Sequence, residues 1–305
     1  MIKLGVVGAL AGLAAAAALA GCATQGPAAV ASADGPRVLA DIIAQVYGTQ
    51  AQRDAGQQKQ FYAWHGALGG CMTGKGETYE LPGYGAPRSV PTEDISPGDM
   101  LAFGPRRTDW GIGAGIVADA KAGGRVSPSL AKLSGDAAEQ WIKVQNECAG
   151  ATKKTENLGQ PDNQAVLDQK LIEGLAAIQN ELAPDLYNTY KSCMAGTGIT
   201  VTEKSFDDAY LAASRKYPAV SFDSPSDPTD LPGWDEAVAY ETQTAADDWS
   251  CRGEDATRVV NASGEKLTAW ATAHQAELDA VARAWADIPA QAAAAKQAAL
   301  QATTK

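Results

Sequence analysis

Apolar residues recur along most of this chain at three- and four-residue intervals, the period of helices that bury one face. Trp64, Leu68 and Cys71 stand at i, i+4 and i+7, and Leu186, Tyr190 and Cys193 repeat that spacing. Leu167, Leu171, Leu175, Ile178 and Leu182, after Pro161-Asp162-Asn163, predict a bundle-packing helix, and Leu267, Trp270, His274, Leu278, Val281, Trp285 and Ile288 predict its counterpart. Further helices are expected from about Arg37 to Gly70, from Asp136 to Cys148 around Trp141, Ile142 and Val144, and from Asp235 to Cys251 around Val238, Tyr240 and Trp249. Pro289 and the alanine-rich run to Lys305 read as a fraying last helix. Two stretches rich in Pro and Gly, Glu77 to Ser129 and Tyr217 to Trp234, read as long irregular loops.

Underneath this pattern lies a tandem repeat. Cys71-Met72-Thr73-Gly74-Lys75-Gly76 and Cys193-Met194-Ala195-Gly196-Thr197-Gly198 share Cys, Met and both glycines. The paired glycines are expected to stop the preceding helix by supplying the left-handed conformation. Each unit then reads helix, Cys-Met, loop, helix, Cys. The fold class that follows is mainly α, a helical bundle of two related disulfide-bonded units with long loops. Its expected segments are 1–21 signal peptide, 22–35 flexible linker, 36–160 first unit, and 161–305 second unit with the C-terminal helix. Pairing within units would join Cys71 to Cys148 and Cys193 to Cys251. Four cysteines allow three pairings, and spacing alone leaves the other two open.

The N-terminus carries a targeting pattern: a positive start at Lys3, an apolar core from Leu4 to Leu19, then small residues. That core is too short and alanine-rich to read as a membrane span. Leu19-Ala20-Gly21-Cys22 resembles the lipobox of bacterial lipoproteins. The resemblance implies cleavage before Cys22, a diacylglycerol on its sulfur, an acyl chain on its amine, and tethering to the cell membrane on the extracytoplasmic side. From Phe61 to about Trp285 the layout also resembles secreted and lipid-anchored actinobacterial proteins with Cys-Met-x-x-x-Gly units followed by a distant cysteine. That likeness implies location and layout, and no reaction.

Composition agrees with export. Five cysteines leave an even four once Cys22 is set aside, as a disulfide framework in an oxidising compartment requires. Their wide spacing is wrong for a tetrathiolate zinc site. Loss of residues 1–21 removes Lys3 and shifts the formal charge from −11 to −12, which argues against a nucleic-acid partner. Aromatics make up only 7% of the chain, and alanine dominates its apolar fraction, so helices are favoured over a large sheet.

Candidate chemistry is sparse. The chain has two histidines, His65 and His274, too few for a histidine metal cluster, and both lie on apolar stripes where a core-edge histidine satisfied by one polar neighbour is the expectation. His65 is the better functional candidate because it precedes the first long loop. Ser129-Leu130-Ala131-Lys132 and Ser263-Gly264-Glu265-Lys266 both fit S-x-x-K, but no K-T-G partner exists. Gly111-Ile112-Gly113-Ala114-Gly115 misses the dinucleotide spacing. Asp223, Asp227, Asp230, Asp235 and Glu236 form an acidic cluster without the alternating calcium-loop pattern. Arg88, Arg106, Arg107 and Arg125 gather with Tyr79, Tyr84, Phe103 and Trp110 in the first loop, and the expected binding loop is drawn on Arg88, Phe103, Arg106, Arg107 and Trp110. No catalytic residue, metal or cofactor is assigned. The expected function is a non-enzymatic binding or interaction protein of the cell envelope, with a protein or glycan partner and a membrane contact through lipid on Cys22. An accessory or solute-binding lipoprotein of a transporter, with a pocket between the halves, and a cell-wall hydrolase using loop carboxylates are the alternatives.

Overall fold

A computed structural model describes residues 34–85, 128–155, 157–202, 206–218, 220 and 231–304. Helix α1 (Gly35–Tyr47) starts where the Asp34 carboxylate accepts from the Arg37 amide at 3.3 Å, with Pro36 preset for the first turn. Gly48, at φ +74°, turns the chain. Helix α2 (Gln50–Gly74) then opens with a reciprocal cap: the Gln52 amide donates to the Thr49 hydroxyl, and the Thr49 amide donates to Gln52 Oε1. After the first loop come α3 (Asp136–Cys148) and a 3-10 stretch, Ala149–Thr155. Next are α4 (Gln164–Leu182), α5 (Leu186–Gly196) and α6 (Asp207–Lys216). The chain closes with α7 (Trp234–Ala262), α8 (Gly264–Ala273) and α9 (Gln275–Thr303). Among the described residues there is no strand, and the molecule is a disulfide-bonded helical bundle.

The largest core draws on both halves of the sequence. Ile42 and Val46 of α1 meet Leu171 and Leu175 of α4, Tyr190 and Met194 of α5, Val259 of α7, Leu267 of α8, and Leu278 and Trp285 of α9. The Leu167–Ile178 stripe on α4 is buried at the predicted spacing. Of the predicted stripe from Leu267 to Ile288, Leu267, Leu278, Val281, Trp285 and Ile288 are buried and Trp270 and His274 half-buried, and the stripe is shared by two helices because the backbone turns out of helical geometry at His274. A second core joins Leu68, Met72 and Tyr79 to Trp141, Val144 and Cys148.

Two expectations need correction. The alanine-rich tail does not fray: α9 runs through Pro289 to Thr303 and lies along α2, the most extensive helix–helix contact of the fold. Small side chains make this possible. A Cβ on Gly66 would come within 3.1 Å of the Ala299 Cα, and one on Gly69 within 2.5 Å of Thr303 Cγ2, so the two backbones approach closely. The Thr73 hydroxyl reaches the Ala302 carbonyl at 3.1 Å, and Lys59 donates to Gln291 at 2.7 Å. The second correction concerns α7, whose buried face is not the one carrying Val238, Tyr240 and Trp249. It buries Ala237, Glu241, Thr244, Asp248, Arg252, Ala256 and Val259 instead. An apolar count misses that face because its central charges satisfy one another.

Candidate functional site at the Cys-Met corners

The two Cys-Met segments fold into the same corner. At the end of α2 the Glu77 amide donates to the Met72 carbonyl at 3.0 Å and the Gly76 amide to Thr73 at 3.1 Å. At the end of α5 the Ile199 amide donates to Met194 at 3.1 Å and the Gly198 amide to Ala195 at 3.2 Å. Both are Schellman closures. In each, the second glycine takes the left-handed turn, Gly76 at φ +88° and Gly198 at φ +85°. The first glycine, Gly74 or Gly196, is the last helical residue and adopts no such angle, so one glycine of each pair stops the helix where both were expected to. Met72 and Met194 are fully buried and anchor the corners in their cores.

Disulfides follow the repeat. Cys71 is bonded to Cys148 and Cys193 to Cys251, with Cα separations of 5.8 and 5.6 Å. The corners differ in what lies beneath them. Under the first, Leu68 and Val144 pack with Trp141, whose ring stacks on Tyr79 with planes 7° apart. Under the second, Tyr190 occupies the place of Leu68 and donates its hydroxyl to Asp248 Oδ1 at 2.7 Å. Arg252 donates Nε to Asp248 Oδ2 at 2.8 Å and brings Nη2 to the same oxygen at 2.6 Å, with its guanidinium 5.0 Å from the Phe206 ring centre. Asp248 and Arg252 are 0% and 1% exposed. The sequence signal for this pair is the i, i+4 spacing of Asp248 and Arg252 astride Cys251.

From the first corner the chain enters a pinned neck. Trp141 Nε1 donates to the Thr78 carbonyl at 3.0 Å, the Glu80 amide donates to Ser129 Oγ at 2.7 Å, and Lys132 Nζ pairs with Glu80 at 2.5 Å. Lys75 reaches across to Glu147 at 2.8 Å, and that ammonium holds the Glu147 carboxyl below the usual carboxylate range. Ser129 and Lys132 therefore both engage Glu80. The S-x-x-K spacing here closes a loop stem and does not set a lysine against a serine nucleophile.

The half-buried His65 lies on the flank of this neck, with Nδ1 2.6 Å from the Tyr79 hydroxyl and its ring centre 4.2 Å from that of Phe61. Trp64 adds an edge contact, and Tyr84 packs on Phe61 at 5.2 Å. Burial pushes the His65 imidazole down to about 4, which keeps the ring neutral, and pushes the Tyr79 hydroxyl up. Tyr84 is pushed up to about 12, first by burial and then by Asp54 and Tyr62 beside it. Tyr79 and Tyr84 thus fasten the start of the loop to α2. His274 rests against Trp270 and brings Nδ1 to within 3.0 Å of Glu277 Oε2. Among the described residues, His65 is paired with Tyr79 and His274 with Glu277.

Other candidates are placed as follows. Arg88, Phe103, Arg106, Arg107, Trp110 and Arg125 lie outside the described residues, as do Cys22, Asp223, Asp227 and Asp230. Asp235 and Glu236 sit exposed in the first turn of α7, where carboxylates suit the helix dipole. Buried Asp208 accepts from the Thr202 amide and hydroxyl, at 2.6 and 2.9 Å, and from Arg215 at 2.6 Å. Among the described residues no group of three or more His, Cys, Asp or Glu is placed to hold a metal ion. An open groove of ≈ 880 Å³ runs along α7, lined by Trp249, Gly253, Glu254, Thr257, Arg258 and Asn261 among others. Compared with known protein families, with curated proteins and with solved structures, the chain matches none of them.

Proposed function

We propose that this protein is a lipid-anchored, extracytoplasmic binding protein of the cell envelope, in which a disulfide-stapled helical bundle presents a pinned loop to a protein or glycan partner. The observation that carries the reading is the pair of disulfides, which use all four cysteines beyond Cys22. Such bonds belong to oxidising compartments, and the Leu19-Ala20-Gly21-Cys22 segment supplies the export and the tether. No helix of the described residues is long and apolar enough to cross a membrane.

The neck supports presentation of the loop. Glu80, Ser129, Lys132, Thr78 and Trp141 tie its two ends together on the side of the first disulfide. Residues 81–127, with Arg88, Phe103, Arg106, Arg107 and Trp110, lie in sequence between the two ends of that stem. Arginines beside planar aromatics suit carboxylate and sugar chemistry. The groups that most resemble catalytic candidates, His65, Ser129 and Lys132, have structural partners.

Mass spectrometry of the mature protein from its own membranes tests the anchor, with diacylglycerol on Cys22 as the expected mass. An unmodified chain cut at another position would end the reading. Crosslinking of the anchored protein in intact envelope, against a variant with Arg88, Arg106 and Arg107 changed to Ala, tests the loop. Identical crosslinked products from both would remove it as the binding element.

A further inference from the structure

The two disulfides close equivalent corners in unequal surroundings. Cys148 belongs to the core of the first unit, 1% exposed, packed with Leu68, Met72, Trp141 and Val144. Cys193 lies on the exposed side of α5 and Cys251 is half-buried on α7. At the second bond a nucleophile meets an exposed cysteine, Cys193, whereas at the first it meets only the half-buried Cys71, the sulfur of Cys148 being reached only by opening a core.

The second corner also has a connection that does not depend on its disulfide. Tyr190 precedes Cys193 by three residues and Asp248 precedes Cys251 by three, so the 2.7 Å Tyr190–Asp248 hydrogen bond lies one helical turn from the S–S bond and joins the same two helices. Arg252, bonded to Asp248 and lying against Phe206, holds that carboxylate in place. With the bond open, α5 and α7 stay in register and the two thiols stay close enough to re-form it. At the first corner Leu68 stands in the place of Tyr190, and the side-chain bridge beside the disulfide is the solvent-exposed Lys75–Glu147 ion pair, not a buried hydrogen bond.

We infer that Cys193–Cys251 is an exchangeable disulfide through which this chain takes up two electrons from a protein dithiol, while Cys71–Cys148 stays closed. A thiolate of the reductant attacks Sγ of the exposed residue Cys193 and the S–S bond breaks. Cys251 leaves as a thiolate and takes up a proton. The reductant's second thiolate then attacks its own sulfur in the mixed disulfide, and Cys193 leaves and is protonated. The chain gains two electrons and two protons, and the dithiol ends as a disulfide. The consequence is a corner, leading into residues 199–233, whose covalent closure responds to redox conditions while the first loop's neck stays fastened.

The experiment uses the full mature chain under native conditions. It is exposed to graded dithiothreitol, and separately to a thioredoxin-type protein dithiol, quenched with N-ethylmaleimide and mapped by peptide mass spectrometry, with far-UV circular dichroism in parallel. Cys193 and Cys251 should be labelled at least about tenfold faster than Cys71 and Cys148, with helicity unchanged. Removal of reductant should restore the original pairing, more slowly in Tyr190→Phe than in the parent. Equal labelling rates, the reverse order, helix loss in step with labelling of Cys193, or failure of the protein dithiol where dithiothreitol succeeds would each overturn the proposal.

Discussion

His65 Nδ1 lies 2.6 Å from the Tyr79 hydroxyl, joining α2 to the neck of the first loop inside a shell of Phe61, Trp64 and Tyr84. Burial lowers the imidazole to about 4, against about 6.5 in an unfolded chain. Between those values the unfolded chain binds more protons, so this histidine's contribution to stability is complete above about 6.5 and is lost as pH falls towards 4. The loss reaches at most about 3 kcal/mol, less where solvent screens the part-exposed ring. Urea unfolding at pH 7, 5.5 and 4.5 should show this slope, and His65→Gln should flatten it.

Gly48 faces Trp285 across the junction of α1 and α2. A Cβ there would stand 2.7 Å from Trp285 Cδ2, at a φ of +74° that strains any other residue. The same indole donates to the Val46 carbonyl at 3.0 Å and is fixed in the core. Gly48→Ala should therefore cost about 2–4 kcal/mol, from combined strain and overpacking. A change within 0.5 kcal/mol in chemical denaturation would contradict the packing described.

The seam between α2 and α9 offers a test of the C-terminal helix. Gly66→Leu should push α9 away from α2, and truncation after Ile288 should remove the partner surface altogether. Both should lower the melting temperature, and limited proteolysis should then cut α2 near Gly66. A truncated chain as stable as the full one would return residues 289–305 to the status of a frayed tail.

Beneath the second disulfide, Arg252→Met leaves Asp248 buried without its cation and should destabilise by about 3–5 kcal/mol. Joint replacement, Asp248→Leu with Arg252→Met, removes both charges and should recover much of that loss. The coupling energy from the four proteins of this cycle decides the matter, and additive effects would mean the two groups do not rely on each other.

Removing the first disulfide by Cys71→Ser with Cys148→Ser releases an excursion 77 residues long and should cost about 4 kcal/mol in the chain-entropy account. Guanidinium titration checks the magnitude. Susceptibility of the 81–127 segment to protease checks whether the neck depends on the bond.

Much of this was legible in the residues themselves. Helical class, the Leu167–Ile178 face and the Cys-Met repeat follow from local rules, a 3.6-residue period and a sequence used twice, while the repeat only favoured the within-unit disulfides, which the tertiary structure selects among three pairings. His65 and His274 were readable as satisfied core-edge groups because each lies on an apolar stripe. The identity of their partners, Tyr79 and Glu277, was not, since Tyr79 reaches His65 only after the chain turns back at Gly76.

Sequence alone determined much of the local grammar of this protein: its helical character, the closures after Cys71 and Cys193, and, at Leu19 to Cys22, an expected address. Tertiary structure decided which faces are inside. The α7 helix turned its charged side inward because Asp248, Arg252 and Tyr190 satisfy one another there, and only a three-dimensional neighbour can supply that compensation. Likewise the alanine-rich end became a packed helix because glycines more than two hundred residues earlier lie close enough for alanine to fill the gap. Periodicity records how a helix sorts its own side chains, and burial is settled by what the rest of the chain brings against them.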